Sequence, residues 1–99
     1  MSVGPIMVCV KVTSDDEAVR LANDCPFGLG SSVFTKDLKK ASRMAEQLVS
    51  GMTVVNDYGV AYICQSLPFG GVRISGFGRI NGKEGLRECC LTKAVLTDR

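Results

Sequence analysis

Apolar positions change their spacing repeatedly along the first half of the chain, and each change predicts an element. Ile6-Met7-Val8-Cys9-Val10-Lys11-Val12 is almost continuously apolar and rich in β-branched side chains. Such a run predicts a strand buried on both faces, as in a parallel sheet. Ser14-Asp15-Asp16-Glu17 then has the form of a capping box, in which the Ser14 hydroxyl accepts from the Glu17 amide and Glu17 reaches back. Ala18, Leu21 and Ala22 recur at helical spacing until Pro26 and Gly28 end the helix. Residues 31–35 read as a second short strand. Thr35 or Asp37 can cap the next helix, whose predicted buried stripe is Leu38, Ala41, Ala45, Leu48 and Val49. Gly51 sits where a helix C′ residue belongs, and residues 52–56 form a third strand. Strand–helix–strand–helix–strand implies right-handed crossovers and a three-stranded parallel unit covered by helices.

The second half is punctuated by glycine. Pro68-Phe69-Gly70-Gly71-Val72-Arg73-Ile74-Ser75-Gly76-Phe77-Gly78-Arg79 is followed by Gly82-Lys83-Glu84-Gly85-Leu86. So many glycines describe a backbone path with little room for side chains. A phosphate-cradling loop does not fit: there is no G-x-x-x-x-G-K-[ST], and Gly76-x-Gly78 would need a third glycine where Asn81 stands. Asn81 and Glu84 can cap a short helix reaching Cys90. In the last segment Thr92, Ala94 and Leu96 alternate with Lys93, Val95 and Thr97, which predicts a final strand set apart from the rest.

Composition narrows the classes. Ninety-nine residues are enough for one small domain, and a net charge of +2 is unremarkable. Lys36, Lys39, Lys40 and Arg43 fall on one face of the second helix, which reads as a solvated face rather than a nucleic-acid patch. No apolar run approaches the roughly 18 residues of a membrane span, and no secretory signal is visible. The five cysteines, Cys9, Cys25, Cys64, Cys89 and Cys90, are odd in number and lack framework spacing. Free thiols in a reducing compartment are the expected state. The absence of histidine and of a C-x-x-C pair argues against zinc.

Pro68-Phe69-Gly70-Gly71, a basic residue, Ser75-Gly76-x-Gly78-Arg79 and Gly82-x-Glu84-Gly85-Leu86 resemble the C-terminal signature of the NAD(P)-dependent aldehyde dehydrogenases. Further pieces of that pattern occur in order. Gly4-Pro5 resembles the end of the family's E-x-F-G-P motif, and Leu21-Ala22-Asn23-Asp24 with Phe27-Gly28-Leu29 resembles its L-A-N and Y-G-L segment. Val33-Phe34-Thr35 and Gly51-Met52-Thr53-Val54-Val55-Asn56 resemble its next strands, and Lys93-Ala94-Val95 its closing strand. Cys64-Gln65-Ser66-Leu67 and Cys89-Cys90-Leu91 look most like a plant branch.

The resemblance implies an α/β fold: a partial aldehyde-dehydrogenase catalytic domain over residues 1–91, with an oligomerisation-type strand over residues 92–99. It implies oxidation of aldehydes to carboxylic acids by an intact enzyme using NAD or NADP. The family's nucleophilic cysteine, general-base glutamate, oxyanion asparagine and cofactor domain all lie N-terminal to the matched region. No catalytic, cofactor-binding or metal-binding residue is therefore expected here, and the chain alone is expected to bind no cofactor and oxidise no aldehyde. Phe69 is the expected substrate-binding residue, lining the tunnel beside the catalytic cysteine; the alternative is a core phenylalanine packing under the loop. The stretch from Tyr58 to Ser66, with Val60, Tyr62 and Ile63, suits either a tunnel mouth or a surface loop with aromatic anchors. Ser75, Gly76, Gly78 and Arg79 are expected to shape the loop.

Two departures stand out. Met1 and Val3 occupy positions where the family has a cofactor-contacting glutamate and phenylalanine, and Arg73 replaces the lysine of PFGG-x-K. Met1 at this point leads to the expectation of a truncated gene model, an alternative start or a cloned fragment. The expected partners are the remainder of the subunit, an aldehyde, and a second subunit through Thr92 to Thr97, with no nucleic acid and no membrane segment. A non-catalytic interaction protein that binds full-length subunits is the alternative, and a small independent ligand-binding domain is a third.

Overall fold

A computed structural model of the chain describes residues 4–98. Its helices are α1 (Asp15–Asn23), α2 (Leu38–Gln47), α3 (Val60–Ile63) and α4 (Gly82–Glu88), and its strands are β1 (Gly30–Val33) and β2 (Met52–Val55). The strands pair in parallel, with Gly30 opposite Met52 and Val33 opposite Val55. Because α2 joins them, they form a β–α–β crossover. The fold is α/β, built on these two parallel strands.

Local signals start the helices. The Ser14 hydroxyl accepts from the Glu17 amide at 3.1 Å. Glu17 does reach back, but to Thr13, whose amide and hydroxyl donate to its carboxylate at 2.8 and 2.7 Å. These bonds hold the Glu17 carboxyl below its ordinary range. Asp37 rather than Thr35 caps α2, accepting from the Lys39 and Lys40 amides. Lys40 and Arg43 both reach Asp15 on α1, at 3.1 and 2.9 Å, so part of the basic face is tied down. The core is small: Val19, Val33, Ala41 and Ala61 are its buried apolar side chains. Within the predicted stripe, Ala41 is buried, whereas Leu38, at the start of α2, and Val49, past its end, stay exposed.

Several sequence expectations need correction. Residues 6–12 form no strand. The run pairs with neither strand of the described sheet, and Ile6, Met7 and Val8 are each more than four-fifths exposed. Residues 92–97 likewise form no strand, and Val95 and Leu96 face solvent. Asn81 precedes α4 at φ 64° without a side-chain capping bond. Gly51 is not a helix C′ residue, since α2 already ends at Leu48 in an extended conformation. These open segments expand the molecule: its radius of gyration is 17.5 Å, against roughly 13 Å for a compact domain of this length. No helix among the described residues is long and apolar enough to cross a membrane.

Candidate functional site

Two asparagines set the frame of the site. The Asn23 side chain, at the end of α1, donates to the Gln47 carbonyl and accepts from the Val49 amide, both at 2.8 Å. Asn56, just after β2, does the same to one residue: it accepts from the Thr35 amide at 2.8 Å and donates to the Thr35 carbonyl at 3.0 Å. It sits at φ 58°, which asparagine tolerates better than most residues. The Asn23 amide group joins the ends of α1 and α2, and that of Asn56 acts as an extra rung where the β1–β2 pairing has ended. Sequence reading quoted both only as parts of family motifs and gave neither a role.

Beyond Asn56 the chain turns at Asp57, whose carboxylate accepts from the Gly59 and Val60 amides at 2.7 and 3.1 Å. Those bonds hold the Asp57 carboxyl below its usual range and start the short α3. Helix α3 buries Ala61 and sends Tyr62 over the sheet. The Tyr62 and Phe69 rings meet edge to face, with centroids 5.1 Å apart and planes at 85°. Such an offset pair is a favourable aromatic geometry. Phe69 is fixed by a two-bond bridge to Ile80: the Phe69 amide donates to the Ile80 carbonyl at 2.7 Å, and the Ile80 amide returns the bond at 2.8 Å.

The next residues show what the glycines are for. A Cβ on Gly51 would lie 1.7 Å from the Gly70 carbonyl oxygen, so the loop after Phe69 crosses the start of β2 backbone to backbone. A Cβ on Gly70 or Gly71 would collide in turn with Gly78 and Ser75. The Gly28 carbonyl accepts from both the Gly51 and Val72 amides, at 3.0 and 2.9 Å, joining the loop to the sheet. Ser75 accepts from the Gly28 amide at 2.9 Å, and Arg79 donates to the Gly71 and Gly78 carbonyls at 2.9 and 2.7 Å.

The result is a cavity of about 410 Å³ on one face of the sheet. Gly30 and Ser32 of β1 and their register partners Met52 and Val54 of β2 form its floor. Alternation along the strands puts these four on one face. Tyr58, Tyr62 and Phe69 wall it, so the structure brings Phe69 together with two aromatic residues of the 58–66 stretch. Its lining contains hydroxyls but no carboxylate, thiol or amine. On its geometry it holds a small, largely apolar group. Ile63 faces solvent, and Val60 borders a separate open surface beside Tyr58.

Cys64 ends α3, half-buried, with its sulfur 3.3 Å from the Ser66 hydroxyl. Hydrogen bonds from the Ser66 side chain and then its backbone amide lower the thiol pKa. Cys9, Cys25, Cys89 and Cys90 are free and exposed. Among the described residues no group of three or more His, Cys, Asp or Glu side chains is placed to hold a metal ion.

The comparisons bear on this architecture as a whole. The family model described as the aldehyde dehydrogenase family matches residues 2–95. An aldehyde dehydrogenase-like protein of Saccharomyces cerevisiae is 46% identical over 95 residues, which are 96% of this chain and 15% of that protein. The 4-trimethylaminobutyraldehyde dehydrogenase of Sus scrofa is 44% identical over 95 residues, 96% of this chain and 19% of that protein. Among solved structures, betaine aldehyde dehydrogenase of Staphylococcus aureus superposes with a TM-score of 0.80 at 41% identity, over 86% of this chain and 17% of that one. A salicylaldehyde dehydrogenase of Pseudomonas putida complexed with salicylaldehyde gives 0.80 at 34% identity, with the same coverage. The chain thus spans less than a fifth of the length of these relatives. With a match to the family model over nearly all of its residues, the chain belongs to the aldehyde dehydrogenase family.

Proposed function

We propose that these residues are the C-terminal part of the catalytic domain of an NAD(P)-dependent aldehyde dehydrogenase, an enzyme that oxidises an aldehyde to a carboxylic acid. Their role is to supply one wall of the aldehyde tunnel. The observation that carries this reading is the cavity whose floor is the β1–β2 face and whose wall is the Tyr62–Phe69 pair with Tyr58. An aromatic wall over an apolar floor excludes water from an aldehyde's tail and orients its carbonyl toward chemistry supplied elsewhere in the subunit. The cysteine that attacks the carbonyl, the donors for its oxyanion and the base for deacylation belong, on this reading, to the rest of the subunit.

The residues present do not fit the dinucleotide itself. Gly70 and Gly71 are packed against their own chain, and the Arg79 guanidinium is engaged with loop carbonyls. The cofactor is accordingly assigned to the remainder of the subunit, as is its hydride chemistry. Betaine aldehyde dehydrogenase of Staphylococcus aureus, which superposes on this chain with a TM-score of 0.73, has been solved in complex with NAD+. Residues 1–91 form the body in this reading, and residues 92–99 pair with a second subunit. The exposed, unpaired backbone of residues 92–97 supports that assignment.

Phe69→Ala in an intact dehydrogenase carrying this segment tests the tunnel wall. The expected outcome is a loss of selectivity for long over short aldehydes of about 1–3 kcal/mol, with the cofactor KM unchanged. Equal losses of kcat/KM for all aldehydes together with a raised cofactor KM would refute it.

A further inference from the structure

We propose that Arg73 is a positioning residue for the Phe69 pocket, clasping the end of α1 and thereby fixing the glycine-rich loop that carries Phe69. Its effect on substrate choice rests on the tunnel-wall reading above; its effect on the loop does not.

Arg73 sits at φ 56°, in the left-handed region that a residue with a Cβ avoids and that glycine enters freely. Its guanidinium donates to the Asn23 carbonyl at 2.7 Å and to the Cys25 carbonyl. These carbonyls lie at the C-terminal end of α1, where oxygens lack intrahelical partners and the helix dipole favours a cation. The neighbours of Arg73 run along the same turn. The Val72 amide donates to Gly28, the Ile74 amide to Pro26 at 3.3 Å, and Ser75 accepts from Gly28. Asn23 is itself bonded to the end of α2.

The clasp therefore ties the loop to both helices. Between it and Phe69 stand only Gly70, Gly71 and Val72, and the two glycines offer no side chain to anchor. Phe69 is thus held from one side by its bridge to Ile80 and from the other by the Arg79–Gly71 and Val72–Gly28 bonds together with the Arg73 clasp. Glycine would adopt this backbone without strain, so an arginine here is informative through its guanidinium alone.

The test compares Arg73→Gly and Arg73→Lys by amide hydrogen exchange, in the 99-residue chain and in a full-length dehydrogenase carrying it, with kcat/KM for long and short aldehydes measured in the latter. In Arg73→Gly the amides of Val72, Ile74 and Phe69 are expected to exchange at least about tenfold faster, the protection of a lost charge-assisted bond. Arg73→Lys, which keeps a cation near the same carbonyls, should restore most of that protection and the parent's ratio of long to short aldehydes. Unchanged or slower exchange in Arg73→Gly overturns the proposal, because relief of backbone strain would then be the whole effect. If the glycine variant fails to fold alone, exchange in the full-length enzyme decides by the same criterion. Faster exchange in Arg73→Gly combined with no selectivity change in Phe69→Ala would leave the positioning role standing and remove the tunnel-wall reading.

Discussion

A single methyl group on Gly51 should separate the glycine loop from the sheet. The Cβ of Gly51→Ala would stand 1.7 Å from the Gly70 oxygen and 2.7 Å from the Gly70 carbonyl carbon. Ordinary contact between heavy atoms needs roughly 3.5 Å, so one backbone must move by well over an ångström. No rotamer can relieve this, because both partners are main chain. Overpacking of this kind costs about 1–3 kcal/mol, and losing the bond from the Gly51 amide to Gly28 adds about 1 kcal/mol. At about 4–8 °C per kcal/mol for a domain of this size, the variant should melt at least ~8 °C below the parent or lose its cooperative transition. Gly59→Ala is the matched control, since nothing lies within 4 Å of its Cβ position. It should change stability by no more than about 0.5 kcal/mol. Thermal unfolding followed by far-ultraviolet circular dichroism reads both variants. If Gly51→Ala melts with the control, the backbone crossing is not a determinant of the fold.

Two further outcomes follow from the same geometry. The Asp57 carboxyl is depressed by the Gly59 and Val60 amides, so its contribution is complete above the unfolded carboxylate value near pH ~4 and is lost as pH falls through the lower folded value. Protection of the Gly59 and Val60 amides should fall in that acid window and become flat with pH in Asp57→Asn; equal profiles would remove the carboxylate from the account. Deleting residues 92–99 from an intact enzyme carrying this segment should shift its mass by sedimentation toward smaller oligomers, and an unchanged mass at dilute concentration would show that this segment is not the bridge.

The parts of the fold visible in the sequence are those decided locally. Ser14 and Asp37 announce α1 and α2 because a cap involves only residues within one turn. The strand-like segments of β1 and β2 are visible because each pairs with the other inside the chain. The runs at 6–12 and 92–97 carry the same pattern but find no ladder, since hydrophobic periodicity reports the burial a segment expects, not who provides it. Gly51 illustrates a second limit: sequence does not distinguish a glycine needed for its φ from one needed for its missing side chain. The floor of the Phe69 cavity was hidden for a third reason. Gly30, Ser32, Met52 and Val54 become neighbours only through the β1–β2 register, and nothing in their spacing along the chain shows it. Phe69 itself was singled out by family resemblance, whereas Arg73 appeared only as a departure from it.

The exposed surface supports the proposed tunnel-wall reading of the site. A compact monomer of this mass exposes roughly 5,500 Å², whereas this chain exposes 8470 Å². The excess is rich in side chains that water disfavours, among them Ile6, Met7, Val8, Phe77, Leu91 and Leu96. Isolated exposed apolar residues need no explanation, but contiguous runs of them mark contact surfaces. The chain also covers less than a fifth of its relatives' length. Both facts are accounted for if the same missing surface buries those runs and closes the space opposite Phe69. On the tunnel-wall proposal the aromatic wall is a boundary element: the bonds of Arg73 and Arg79 and the glycine crossings would shape it, and the reacting groups would belong to the rest of the subunit.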